Sequence, residues 1–218
     1  MKWEACGKLR TSALNLMVQV SYQHGTTDVY QQFFIMHALR QALRQKRRAI
    51  SAIERQTLAR QLQQQVQKSL KISRGQTVAL FLPNDGEIDP IYINNILKKQ
   101  GISVYLPKLF GKSLVFAKIG KHFSRNRFGI PEPLHTPIKH AHQLSLIFTP
   151  LVGFDQNRNR IGMGGGFYDR TLSFKHRQQS FRHPKLYGLA FDCQEVATLE
   201  RQNWDVPLDG VITPSRRF

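Results

Sequence analysis

The chain has 218 residues, with 32 lysines and arginines against 14 aspartates and glutamates, a formal charge of +18. That length suits one α/β domain with a substantial core, and the charge points to an anionic partner, whether nucleic acid, ATP or a polyglutamylated small molecule. Two cysteines, Cys6 and Cys193, make no disulfide scaffold or metal-ligand spacing, and no apolar run approaches the ~18 residues of a membrane span, so a cytoplasmic protein without membrane contact is expected.

Residues 1–35 show no sustained periodicity, broken by GTTD at 25–28, and read as an N-terminal extension to a domain covering 36–218. From His37 a basic helix carries Arg40, Arg44, Lys46, Arg47 and Arg48; apart from Arg40, these read as a solvated face. SAIE at 51–54 is a capping box, opening a second helix with Leu58, Leu62, Val66 and Leu70 on one side. VALFL at 78–82 reads as a buried parallel strand, after which PNDG turns the chain and Glu87 falls just beyond the strand's carboxyl end, where open α/β sheets bind ligands. Asp89-Pro90 starts a helix over 91–100, and Gly101 ends it. A strand over 103–106 stops at Pro107-Lys108, 114–119 adds a strand, and GIPEP at 129–133 is a stiff loop. The most apolar run, 144–154, is the expected central strand, followed by helix over 168–176, strand over 186–191, helix over 194–200 and strand over 210–213. The alternation predicts a single-domain α/β fold: a three-layer, parallel-dominated, doubly wound sheet with helices on both faces.

The run leaving the central strand, LVGFDQNRNRIGMGGGFYDR at 151–170, concentrates the chemistry. Gly162, Gly164, Gly165 and Gly166 leave backbone N–H groups unobstructed, and a helix starting at once would complete an anion cradle. Arg158 and Arg160 can meet phosphate oxygens, and Asp169 can hold a hard cation. By itself a glycine run equally marks a surface turn. Phe167 stands where a dinucleotide fingerprint needs its third glycine, and no Gly-Lys-Ser/Thr follows for a P-loop. His135, His140 and His142 lack the partners of a zinc set and read as surface residues, and no Gly-x-Ser-x-Gly elbow occurs. Rival readings are a basic nucleic-acid-binding module, which leaves the GFYD segment unexplained, and a generic ATP-dependent phosphotransferase.

These residues resemble the 5-formyltetrahydrofolate cyclo-ligase, or methenyltetrahydrofolate synthetase, family over about residues 39–213. The most specific part is GFD at 153–155 with NRIGMGGGFYD at 159–169; Phe81-Leu82, Glu87-Ile88, Leu106-Pro107, IPEP at 130–133 and Trp204-Asp205 support it. The resemblance implies ATP-dependent cyclisation of 5-formyltetrahydrofolate to 5,10-methenyltetrahydrofolate, with magnesium, ADP and phosphate released, through phosphorylation of the formyl oxygen. It implies catalytic roles for Arg160 and Tyr168, and nucleotide binding by Arg40, Arg160, Ile161, Gly162, Met163, Gly164, Gly165, Gly166, Phe167 and Tyr168. Folate binding would fall to Leu82, Glu87 and the same loop from Met163 through Gly164, Gly165 and Gly166 to Phe167, and magnesium to Asp169 and Asp205. Nucleic acid is then not an expected partner, and a monomer is expected. Two departures stand out: Met36 replaces a lysine common in the family, and Met163 and Gly165 fall where many members carry lysine or arginine. Arg158, Arg160 or Lys108 would take up that phosphate charge.

Overall fold

The computed structural model describes residues 29–177 and 183–218. Most of the expected extension, 1–28, lies outside the described residues. Helix α1 (Val29–Arg48) begins eight residues before the expected start at His37. Ser51 then caps α2 (Ala52–Ser69), its hydroxyl accepting from Glu54 N at 3.2 Å as the capping box predicts. Strand β1 (Thr77–Ala79), α3 (Ile91–Lys99), the long β2 (Ser103–Phe110) and β3 (Ser113–Lys118) follow. After β4 (Phe123–Arg125), β5 (Pro131–Pro133) and β6 (Ile138–Lys139), the chain enters β7 (Leu146–Pro150) and a small hairpin, β8 (Gly153–Phe154) with β9 (Arg160–Ile161). Short helices α4 (Phe167–Leu172) and α5 (Phe174–Arg177), then β10 (Lys185–Leu189) and β11 (Gly210–Ile212), complete it.

The main sheet runs β11-β10-β7-β1-β2-β3-β6, parallel from β11 to β2, with β3 antiparallel to both its neighbours. This is the expected parallel-dominated α/β sheet. Its parallel strands are largely buried on both faces and sort their side chains with period two. Val78, Val104, Phe148, Leu189 and Ile212 join Leu62 and Val66 of α2 and Ile93 and Leu97 of α3 in one core. Ala79, Tyr105, Ile147, Leu186 and Val211 join Leu144, Leu172 and Phe174 in the other.

Several boundaries differ from expectation. Strand β2 continues through Pro107, because that stretch pairs in a hairpin with β3, Pro107 opposite Phe116. The apolar run 144–154 divides into β7, beside the central β1, and the hairpin strand β8. The helix expected over 168–176 breaks at Ser173, and that expected over 194–200 is only a 3-10 turn at Asp192–Gln194. Gln194 spends its side chain on the backbone, its amide nitrogen donating to Leu151 O and Val152 O at 2.8 and 2.9 Å, which ties the turn to the β7 exit.

From β1 the chain moves outward to β2 and β3, then returns to the other side of β1 with β7 and proceeds to β10 and β11. The order therefore reverses between β1 and β7, and the crevice beyond their carboxyl ends is where such a sheet receives a ligand. Close packing behind it leaves little room at Gly188 of β10: a Cβ there would lie 2.5 Å from Leu151 Cδ2 and 3.0 Å from Leu208 Cδ1, so both side chains would have to shift. Gly188→Ala should cost about 1–3 kcal/mol by overpacking and lower the thermal midpoint by roughly 2–10 °C. An unchanged midpoint in a thermal melt would show that both leucines move aside without strain.

Candidate active site

Helix α1 crosses the β7 exit, and its residues 40, 43, 44 and 47 share one face at helical spacing. Leu43 is buried so close to the hairpin that a Cβ on Gly153 would stand 2.5 Å from its Cδ1. That contact points the flanking arginines into the switch-point loops. Arg40 Nε donates to Gly162 O at 3.1 Å. Burial lowers the Arg40 pKa, and the negative field of Asp205 partly restores it.

Of the other arginines of α1, Arg47 leaves the solvated face expected of it, whereas Arg48 stays exposed and Arg44 partly so. Arg47 is 0% exposed: Nε donates to Asp85 O at 2.9 Å, Nη2 to Asp85 Oδ2 at 2.9 Å, and Nη1 to Leu151 O at 3.2 Å. Arg44 and Arg48 converge on the same Asp85 carboxylate. Burial alone would raise the Asp85 pKa, but hydrogen bonds from Arg44, Arg48 and Arg47 bring it down to about 2. Asp85 itself sits at φ +51°, an uncommon conformation for a residue with a side chain, which the three guanidinium contacts hold. Nothing in local spacing reveals this node, because a basic helix reads as exposed unless its acidic partner in a later loop is known.

Glu87 lies beside the node, Oε1 3.9 Å from Arg47 Nη2, with Oε2 accepting from Asn84 N at 3.1 Å. Burial pushes its carboxyl up to about 7; Arg47 and the Asn84 N–H oppose the rise, and Asp85 adds to it. Leu82, at the same β1 exit, is half-buried against the α2/α3 core.

The turn feeding the glycine loop is fixed by Asp155, 0% exposed, whose carboxylate accepts from Asn159 N, Asn159 Nδ2 and Leu199 N, each at 2.9 Å. Arg158, at φ +67°, donates to Asp209 O at 3.4 Å. Lys108 lies in the hairpin portion of β2 opposite Val115. Ile161 is buried in β9 and Met163 is half-exposed, its sulfur 3.9 Å from Arg47 Nη2. Gly164 (φ +89°) and Gly166 (φ +63°) take the left-handed conformation, and space around Gly162 and Gly164 is open. Gly165 is not left-handed; its constraint is the Phe167 ring, 3.0 Å from where a Cβ would lie. Phe167 meets Phe128 edge-on at 5.7 Å, and Arg127 and Arg170 lie over its ring, an aromatic and cationic wall not legible in the sequence because the Arg127-Phe128 turn and α4 are about 40 residues apart in the chain.

Arg160 forms an ion pair with Asp169 and lies 5.9 Å over the Tyr168 ring, leaving its buried Nε without a protein partner. The Tyr168 hydroxyl is also buried and unpartnered within the protein; burial raises its pKa, the Glu87 charge adds to the rise, and Arg160 opposes it. Asp205 Oδ2 accepts from Gln202 N at 2.8 Å. Among the described residues no three His, Cys, Asp or Glu side chains gather as a metal site, and no helix is long and apolar enough to cross a membrane. His140 and His142 stack on each other at 5.7 Å.

An open, mostly parallel sheet with a glycine loop and buried polar groups at its switch point defines a ligand-binding α/β domain. The chain belongs to the 5-formyltetrahydrofolate cyclo-ligase family, whose model matches residues 36–214. It is 37% identical over 183 residues to the 5-formyltetrahydrofolate cyclo-ligase of Escherichia coli K12, covering 80% of this chain and 97% of that one. It is 35% identical over 181 residues to the Haemophilus influenzae enzyme of the same name, covering 80% and 95%. The fold is similar to the NMR structure of Aquifex aeolicus 5,10-methenyltetrahydrofolate synthetase, with TM-score 0.72 and 26% identity over 84% of this chain and 91% of that one. It also resembles the Mycoplasma pneumoniae 5,10-methenyltetrahydrofolate synthetase, with TM-score 0.65 and 28% identity over 82% and 98%.

The raised carboxyl of Glu87 gives a pH test. A Glu87 pKa near 7 when folded, against 4.5 as the ordinary value, means that the folded state binds the extra proton between those limits, so this group removes stability as pH rises through that window. Glu87→Gln should therefore gain stability relative to the parent at pH 8 compared with pH 5, by on the order of 1 kcal/mol or more in urea titrations. A pH-independent difference would contradict a buried, titrating Glu87.

Proposed function

We propose that the chain closes 5-formyltetrahydrofolate to 5,10-methenyltetrahydrofolate while converting ATP to ADP and phosphate. The observation that carries this reading is the coincidence, at the switch point, of an unobstructed glycine loop with two buried polar groups lacking protein partners, Arg160 Nε and Tyr168 Oη. Oxygens of a phosphorylated ligand would satisfy both.

In the proposed reaction the formyl oxygen attacks the γ-phosphorus and ADP leaves. N10 then bonds to the activated formyl carbon, the carbon–oxygen bond to phosphate breaks, and the N10 proton is released. An amide oxygen is a weak nucleophile, so the protein must contribute orientation and charge neutralisation. In this reading the backbone amides around Gly164 cradle the phosphates, with Arg40 and Arg160 beside them. Tyr168, kept protonated by burial, donates a hydrogen bond to a phosphoryl oxygen instead of serving as a base. Glu87 accepts from pterin N–H groups, with Leu82 and the Met163 to Phe167 segment against the ring system.

Magnesium would supply further neutralisation of phosphoryl charge. Asp169 and Asp205 suit it as hard oxygen donors, but each already lies in the field of an arginine, Asp169 paired with Arg160 and Asp205 near Arg40. They fit a site completed by ATP oxygens and water, in which both arginines turn toward phosphate.

The direct test is ATP-dependent appearance of methenyltetrahydrofolate absorbance from 5-formyltetrahydrofolate; no signal at saturating ATP and magnesium would refute the reading. Gly164→Val should cut turnover roughly 100-fold or more with the fold retained, since the position is left-handed and its Cβ would project into open space where phosphate is expected. Comparable activity in the folded variant would remove the cradle. Asp169→Asn should raise the magnesium concentration needed for half-maximal rate several-fold, by roughly the value of one hard ligand. Lower turnover at an unchanged magnesium requirement would instead leave Asp169 as the partner of Arg160.

A further inference from the structure

Among the described residues Arg47 is the largest fully buried side chain, and no role in the reaction has been given to it. Its guanidinium reaches three places that the chain brings together only in the folded state: Asp85 after β1, Leu151 after β7, and the Met163 sulfur in the glycine loop. The fourth neighbour is Glu87, at 3.9 Å. We propose that Arg47 is a positioning residue for the folate side of the site, locking the β1 loop to the β7 exit and so fixing the Glu87 carboxylate opposite the glycine loop. This rests on the reading of Glu87 as a folate contact.

The geometry separates this role from that of an ordinary structural ion pair. Asp85 already has Arg44 and Arg48, so its charge is compensated without Arg47. Glu87 has no such reserve. The charged and titratable groups facing it are Arg47 from α1, Asp85 from its own loop and the Tyr168 hydroxyl from α4, and of these Arg47 alone favours the carboxylate. Losing the Arg47 charge would therefore move the Glu87 carboxyl still higher, leaving less carboxylate near neutrality. Losing only the fork geometry would misplace the carboxylate while keeping it charged.

The test compares the parent enzyme, Arg47→Lys and Arg47→Met in Michaelis constants for 5-formyltetrahydrofolate and for ATP across the pH range, with thermal midpoints alongside. Arg47→Lys keeps the charge and should raise the folate KM roughly tenfold, leave the ATP KM within about twofold, and keep the acid limb of folate kcat/KM in place. Arg47→Met should lower folate kcat/KM further and move the acid limb upward by about one pH unit. A thermal midpoint that falls while the folate KM and acid limb stay at parental values overturns the proposal, as does an equal rise in both Michaelis constants. If Arg47→Met does not fold, the folate-against-ATP split in Arg47→Lys decides the matter alone. An inactive parent refutes both this proposal and the folate reading beneath it, whereas an active parent with unsplit constants refutes only the role of Arg47.

Discussion

A guanidinium cannot shed its charge in a protein core, so burying one obliges the chain to bring acceptors to it. Arg47 imposes that requirement here. Its acceptors come from residues 38 and 104 positions away along the chain, at the exits of the two parallel strands that flank the sheet's reversal point. Satisfying the charge and assembling the crevice are thus one event. A missing acceptor would leave a buried charge uncompensated at a cost of several kcal/mol, which explains why Asp85 is held at a positive φ instead of relaxing.

Asp155 does for the glycine loop what Arg47 does for the β1 loop. With three N–H donors on one carboxylate and Gln194 clasping the preceding carbonyls, the entry to the loop is fixed, while Gly162 and Gly164 have open space around them. Rigid anchors beneath an unobstructed backbone are what a site needs when it works by orientation and charge complementarity, since no reorganisation is then required as the reaction proceeds.

The strong positive charge takes on a different meaning in this setting. Arg55 donates to the Arg47 and Arg48 carbonyls at the end of α1, and Arg47 and Arg48 bond to Asp85; Arg40 and Arg170 bond to carbonyls of the glycine loop; Arg160 pairs with Asp169. Much of the basic surplus around the crevice is therefore internal scaffolding or lies where an anionic ligand would meet it, a local arrangement unlike the open stripe by which a protein follows a nucleic-acid backbone.

Local physics made a large part of this legible. Short β-branched and apolar runs alternating with capped helices specify a parallel α/β sheet, Ser51 marks a helix start through its own hydroxyl, and the glycines with Arg160, Tyr168 and Asp169 mark the loop, because each of these signals is carried within a few residues. The sequence could not tell that Arg47 is buried or that Glu87 titrates near neutrality. Nor could it tell that β2 runs on through Pro107 or that Phe128 faces Phe167. Burial, pairing and field strength depend on groups distant in the chain, so a basic helix looks solvated until the tertiary fold supplies the carboxylate and carbonyls that let one of its arginines leave water.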